Sequence, residues 1–294
     1  MDISIALGGG GAKGNAHIGV LRALEREGFR IRALAGTSFG GIVAILYASG
    51  LRPDEIEAAF HKVDQTRLYG RLPDDGPSLL GVAGIHRWLD EVVGQRTFDD
   101  LKLPCAVCAV DLKSGREVIL SEGRLRDAIM ATIAIPGIFP PVRIADWDLV
   151  DGGVLDPVPV SVARGLAPSL PVVAVVLNAL PGEPVRPPVV PLPSVLPNSI
   201  ALRLTRFRIA QAFNIYLQSV DIGSRLMADL RLKTDKPAAV IRPAVRHIDI
   251  LERVDVHEVA ARGEEAVIAS LPELRRLSAW TSRVRRRLFG ERAA

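Results

Sequence analysis

Several features that would point to a membrane, a nucleic acid or a redox centre are missing from this chain of 294 residues. No stretch approaches the ~18 consecutive apolar residues of a membrane-spanning helix. The best candidate, Pro171-Val172-Val173-Ala174-Val175-Val176-Leu177, has the length of a buried strand. No basic segment precedes the first apolar run, which ends at Leu7 in a glycine cluster, so no secretion signal is expected and a cytoplasmic protein is. The formal net charge of +4 is too small to suggest nucleic-acid binding, although Arg greatly outnumbers Lys. Cysteine is nearly absent. Cys105 and Cys108 form a C-x-x-C, but within a strand pattern, where residues three apart face opposite sides of a sheet. A redox pair would sit together at a helix start, so core packing is expected. No internal repeat or dividing linker appears, and 48% apolar residues suffice for a full core. A single domain over 1–294 is expected.

What is present opens as β-loop-α-β-turn-α within fifty residues. Asp2–Leu7 reads as a strand, Gly8–Gly14 as a loop, and Asn15–Glu27 as a helix with Ile18, Leu21 and Leu24 at helical spacing. Ile31–Ala35 reads as a second strand, followed by a serine turn and an apolar helix to Ala48. This is the start of a parallel, helix-covered sheet, an α/β fold. Pro53 starts a helix through His61, and Asp64–Gly84 reads as irregular. Strands are expected at Cys105–Val110, Val118–Leu120, Asp148–Val150, Val172–Leu177 and Ala238–Ile241, with helices at Arg124–Ile135 and Ser199–Leu232. Seven prolines in the seventeen residues 181–197 predict an extended surface loop. The helical C-terminal part, 199–294, ends in an Arg-rich tail over 275–292.

Three stretches carry chemistry. The first, Gly8-Gly9-Gly10-Gly11-Ala12-Lys13-Gly14, follows strand one and can turn its backbone N–H groups toward an anion. It fails as a Walker loop, because Lys13 is followed by Gly14 and Asn15. Gly9, Gly11 and Gly14 formally match a dinucleotide fingerprint. The acidic residue that fingerprint wants after strand two is replaced by Gly36-Thr37-Ser38. An oxyanion hole explains the glycines better. The second stretch is Gly36-Thr37-Ser38-Phe39-Gly40, a G-x-S-x-G whose glycines permit the sharp bend that exposes a nucleophilic serine. The third is Asp151-Gly152-Gly153, at a strand end where open α/β sheets place their sites. A serine needs a base. His17 reads as helix packing or capping, and His61 and His86 lie in poorly patterned surface stretches. His247 and His257 leave a Ser–Asp–His order formally open. Neither lies in a glycine-flanked loop, which points instead to Asp151 as the direct base.

The chain resembles the patatin-like phospholipases of the bacterial single-domain type. Their G-G-G-x-[RK]-G, G-x-S-x-G and D-G-[GA] motifs match here as Gly9 to Gly14, Gly36 to Gly40 and Asp151 to Gly153, in family order. The stretches Ala16–Leu21 and Ala134–Pro141 are also similar, and the likeness covers roughly 2–177. Asp156 departs from the family's usual Asn and adds a charge near the site. The resemblance implies a three-layer α/β/α fold with a mostly parallel sheet. It also implies a Ser–Asp dyad without histidine, in which Ser38 attacks an ester carbonyl and Asp151 takes its proton and later activates water. The Gly9, Gly10 and Gly11 amides would hold the oxyanion. Gly14, Gly36, Gly40, Gly152 and Gly153 would shape the turns, and Lys13 would steady the loop or touch a phosphate head group. No cofactor or metal is implied.

The substrate so implied is a fatty-acyl ester, of a phospholipid or a neutral lipid, met at a membrane or micelle. Peripheral membrane contact is expected from 68–85, from the proline-rich loop or from the basic tail, where Trp280, Leu288 and Phe289 interleave with arginines. A solvated C-terminal helix is the plain alternative. Two other functions stay open: a small-ester carboxylesterase using His247 or His257, and a catalytically idle lipid-binding protein of the same fold.

Overall fold

The computed structural model describes residues 1–65, 67–70, 76, 78–180, 182 and 200–289, with backbone alone over 200–210 and 278–289. One sheet contains β1 (Asp2–Leu7), β2 (Arg30–Thr37), β3 (Cys105–Asp111), β4 (Arg116–Leu120), β5 (Val142–Ile144), β6 (Trp147–Asp151), β7 (Val172–Val175) and β8 (Ala239–Ile241). Its order is β5-β6-β3-β2-β1-β7-β8, with β4 also paired to β3. The five strands β3-β2-β1-β7-β8 are mutually parallel, while β4, β5 and β6 pair antiparallel.

The period-two alternation of the parallel strands sorts side chains by size onto the two faces. Ile3, Ile5, Leu7, Leu34, Val107, Val173 and Val175 point to one side, and Ala6, Ala35, Ala106, Cys108 and Ala174 to the other. The large-residue face is covered by α1 (Ala16–Arg26), α2 (Phe39–Ala48), α3 (Pro53–His61), α4 (Ala83–Val92), α5 (Leu125–Thr132) and α8 (Val256–Phe289). The small-residue face lets α6 (Val160–Leu166) approach closely, with α7 (Ile200–Asp235) beside it. The result is the expected α/β/α layering. Each large aliphatic side chain buried this way contributes about 2 kcal/mol. Cys105 and Cys108 are both buried free thiols on opposite faces, as strand spacing requires.

The helices of the first layer are locked by close contact and by charge. Where α1 crosses α8, a Cβ on Gly19 would lie 1.8 Å from the Ala260 carbonyl oxygen, and one on Gly263 would lie 1.9 Å from that of Ala16. The two backbones therefore touch where glycine removes the side chain. Beside this crossing Arg22 of α1 binds Asp54 at 2.7 Å, Glu264 at 3.0 Å and also Glu57, tying α3 and α8 to α1.

Several elements depart from the sequence expectation, among them α6, a seven-residue helix that no sequence pattern announced. The stretch read as irregular to Gly84 gives way to α4, which starts at Ala83 with no side-chain cap to mark its N-terminus, although Gly94, at φ 56°, closes its C-terminus. β5 is three half-exposed residues, too short for an alternating pattern to register. The first helix is also divided, into a 3-10 turn over Gly11–Asn15 and then α1. The proline-rich stretch 181–197, apart from Gly182, lies outside the described residues, as do the side chains of most of the Arg-rich tail.

One feature of the topology decides where the site lies. β4 occupies one edge of β3 from Val107 to Asp111. β2 and β6 must therefore share the opposite edge. β2 runs along it to Thr37, facing Cys108, and β6 comes from the other direction to end at Asp151, facing Ala109. The two chain ends meet at neighbouring positions of β3.

Candidate active site

Ser38 follows β2 and is the N-cap of α2, with φ 54° and ψ −129°. A non-glycine residue in that region stores strain, which neighbouring contacts must hold in place. Gly40 makes room for the bend: a Cβ there would lie 2.3 Å from the Leu7 carbonyl oxygen and 2.6 Å from that of Gly8. Ser38 N–H donates to Thr132 Oγ1 at 2.9 Å, and that hydroxyl donates to the Cys108 carbonyl at 2.6 Å. Thr132 thus anchors the elbow to β3, a role that no motif in the sequence announces.

Asp151 ends β6 with its N–H bonded to the Ala134 carbonyl at 2.9 Å. Its Oδ1 accepts the Gly153 N–H at 2.7 Å, capping the short 3-10 turn Gly152–Val154. Burial pushes the Asp151 pKa up to about 6, against the opposing pull of the nearby Ser38 side chain and of the Gly153 N–H. The carboxylate is therefore far more basic than in water while still mostly ionised at neutral pH.

The glycine loop sits beside this pair, and a Cβ on Gly9 would come within 3.3 Å of Ser38 Cβ. Gly9 N–H, however, donates to the Pro157 carbonyl at 3.0 Å. An amide already spent on a carbonyl is a poor oxyanion donor, so the expected set of three narrows to Gly10 and Gly11. The loop is held from behind by His17, whose Nε2 lies 2.7 Å from the Gly8 carbonyl oxygen. Since a carbonyl only accepts, Nε2 carries the proton, and burial pulls the ring's pKa down to about 4. The expected packing role of His17 is met.

Two cavities meet at Ser38. One, of about 440 Å³, is lined by Gly9, Gly10, Gly11, Lys13, Ser38, Asp151 and Gly153, which gathers most of the residues singled out from the sequence. Asn178, Arg225, Arg246 and His247 add polar groups to it. Lys13 is half-buried there. Desolvation and Arg225 lower its pKa, while Asp221 and Asp249 act the other way. The second cavity, of about 790 Å³, has Ile42, Phe60, Leu80, Trp88 and Phe139 along one wall, with Gln65, Asp249, Glu252 and Arg253 elsewhere in its lining. Phe39 stacks on Phe60 at 4.9 Å between ring centroids, and Phe60 lies 5.1 Å from Trp88. Sequence reasoning missed this wall, because its residues come from α2, α3, α4 and two loops, and each alone reads as core. Of the two histidines left open, His247 lines the first cavity, whereas His257 pairs through Nδ1 with Glu57 at 2.8 Å.

Comparison with known proteins agrees with this architecture. An uncharacterized NTE family protein of Mycobacterium tuberculosis is 38% identical over 187 residues, covering 63% of this chain and 51% of that protein. A second from the same species is 28% identical over 275 residues, covering 92% of this chain and 46% of that protein. A lysophospholipase named NTE1 from Mycosarcoma maydis is 31% identical over 172 residues, which are 55% of this chain and 9% of that protein. The chain thus spans about half the length of the mycobacterial relatives, and far less of the fungal one. Among solved structures, VipD from Legionella pneumophila shares the fold, with a TM-score of 0.55 at 11% identity over 92% of this chain and 66% of that one. The family model described as patatin-like phospholipase matches residues 5–164, which span all three motifs. The chain therefore belongs to the patatin-like phospholipase family.

Proposed function

We propose that this protein is a serine hydrolase of fatty-acyl esters in lipids, working through Ser38 and Asp151. The observation that carries the reading is that Ser38, on its strained elbow, and a buried, basic Asp151 carboxylate line one cavity together with the glycine loop. In the acylation step Ser38 Oγ forms a bond to the ester carbonyl carbon, its proton passes to Asp151, and the carbonyl oxygen becomes an oxyanion facing the Gly10 and Gly11 amides. Collapse expels the alcohol, which takes the proton back from Asp151. Water then attacks the acyl-serine with Asp151 as base, releasing the fatty acid and restoring Ser38 Oγ–H. General base catalysis is worth roughly 10²–10⁴-fold, and each oxyanion donor about 10²–10³-fold. The aromatic wall of the second cavity suits an acyl chain, and the cationic groups of the first, Lys13, Arg225 and Arg246, suit a leaving group carrying phosphate or hydroxyls.

Approach to a lipid surface has its own support on α7. Leu217, Val220 and Ser224 of this helix line the polar cavity. Its outward positions Ile215, Tyr216, Ser219, Ile222, Gly223, Leu226 and Leu230 are exposed and uncharged. A surface helix normally turns charge outward, and this one turns apolar groups outward beside the cavity. This stripe joins the earlier candidates for peripheral membrane contact by a cytoplasmic enzyme.

The test is hydrolysis of p-nitrophenyl esters of graded chain length. Ser38→Ala and Asp151→Asn should each lose about 10³-fold or more, and a His247→Ala/His257→Ala double variant should stay within about threefold. Strong loss in the histidine variant would favour the Ser–Asp–His carboxylesterase. An inert wild type on all esters and phospholipids would favour the idle lipid-binding scaffold.

A further inference from the structure

Behind the candidate dyad, on the small-residue face of the sheet, lies a group of acids without enough bases. Asp156 is fully buried, and neither Oδ1 nor Oδ2 meets a hydrogen-bond donor among the described residues. Glu117 of β4 sends Oε2 to Arg231 Nη2 of α7 at 3.1 Å, but its Oε1 is buried without a donor. Oxygens of these two carboxyls and Sγ of Cys108 on β3 lie within 4.8 Å of one another. Asp235 of α7 also acts on Asp156 and has a buried Oδ2 with no donor. Among the described residues, three carboxyl groups therefore act on one guanidinium, that of Arg231. Two carboxylates in one dry site cannot both stay ionised without a further positive charge.

We infer that Asp156 and Glu117 share one proton, and that the neutral Asp156 so formed is a positioning residue for the Ser38–Asp151 pair. The inference rests on the proposed function for its link to turnover, not for the proton itself. Arg231 already bonds Glu117, so the proton is assigned to Asp156, which then donates to Glu117 Oε1 and gives both orphaned groups a partner. A divalent cation is the competing way to balance the charge, but it would have to sit against the Arg231 guanidinium. Burial, Glu117 and Asp235 push the Asp156 pKa up to about 7, with Arg231 opposing.

The backbone of Asp156 explains why its charge matters. Its carbonyl accepts Thr37 Oγ1 at 2.8 Å, immediately before Ser38, and its N–H donates to the Gly152 carbonyl at 2.8 Å, immediately after Asp151. One residue thus braces both halves of the site. Ionised, its side chain would repel Glu117 and strain toward water, pulling on both bonds. Asn at this position would offer Glu117 an N–H without ever titrating.

The experiment compares the wild type with Asp156→Asn, in pH profiles of kcat/KM on a soluble ester and in melting temperature across pH 4–9. In the wild type kcat/KM should fall on the alkaline side through about 7. Asp156→Asn should match it within about threefold near pH 6 and keep its rate to pH 9. Asp156→Ala, which offers no donor, should be impaired at every pH. In melting, the wild type should lose ground to Asp156→Asn as pH rises from about 4 to about 7, the window in which only the unfolded chain ionises, with a constant gap above it. A melting gap independent of pH would overturn the shared proton, as would one equivalent of bound zinc or calcium in the purified wild type. An alkaline limb that persists in Asp156→Asn would overturn the positioning role. If the wild type hydrolyses no ester, the proposed function fails, and the melting comparison still decides the proton.

Discussion

Thr37 and Asp151 end two strands that meet head-on along one edge of β3, facing the adjacent residues Cys108 and Ala109. A parallel strand and an antiparallel strand converge there, so the residues just beyond each end come together without a long loop. The two candidate catalytic side chains therefore inherit their spacing from sheet register. Register is one of the stiffest relationships a fold offers, because a slip of one residue turns every side chain to the other face.

The raised pKa of Asp151 sets both a rate limb and a stability effect. Activity should rise on the acid side through about 6, as the carboxylate loses its proton. The sign for stability is opposite to that of a salt-bridged acid. The folded-state value lies above the unfolded one, so holding Asp151 costs stability that accumulates from about pH 4 to about 6 and stays constant above. Asp151→Asn should therefore be inactive yet more stable at neutral pH by roughly 3 kcal/mol, seen as a melting temperature several degrees higher. A variant that is inactive and less stable would contradict the assigned burial cost.

The aromatic cavity should set acyl-chain length. Leu80→Trp fills it and should reduce kcat/KM for palmitate esters at least tenfold while leaving acetate esters within about threefold, since each buried methylene is worth about 0.8 kcal/mol. Trp88→Ala removes part of the wall and should shift the optimum toward longer chains. Equal effects on all chain lengths would remove the acyl chain from this cavity.

The uncharged stripe on α7 should govern contact with lipid. Ile222→Asp together with Leu226→Asp should weaken co-sedimentation with anionic phospholipid vesicles at least tenfold while leaving hydrolysis of a soluble short-chain ester within about threefold. Unchanged sedimentation would return the role to the Arg-rich tail or the proline-rich stretch. A wild-type dimer that the double variant abolishes would identify the covering partner as a second copy of this chain.

Much of this is legible in the sequence, and the reasons are local. Glycines around Ser38 and Asp151 mark bends that few other residues tolerate, so three short motifs reveal a strand-turn-helix elbow and a strand-end carboxylate. The uninterrupted apolar run through β7 likewise reveals two-sided burial. What stayed hidden depends on partners distant in sequence. Thr132 reads as an ordinary helix residue until its hydroxyl is found under Ser38. Gly9 resembles its neighbours until the Pro157 carbonyl claims its amide. Asp156 could be noticed as one charge too many, but Glu117, Arg231 and Asp235 come from elements 39 to 79 residues away, so the imbalance appears only on assembly.

The crossing of α1 and α8 has a mechanical meaning beyond packing. A joint made of side chains can be loosened or tightened one methyl at a time, and a sequence can drift through it. The joint at Gly19 and Gly263 has no such adjustment, because main chain already rests on main chain. Any side chain added there acts as a wedge between two rods. One of those rods carries His17, the post behind the glycine loop. The position of the glycine loop beside Ser38 is thus indexed to a contact on the far side of the helix layer, with α8 lying beyond the stretch that the family model matches.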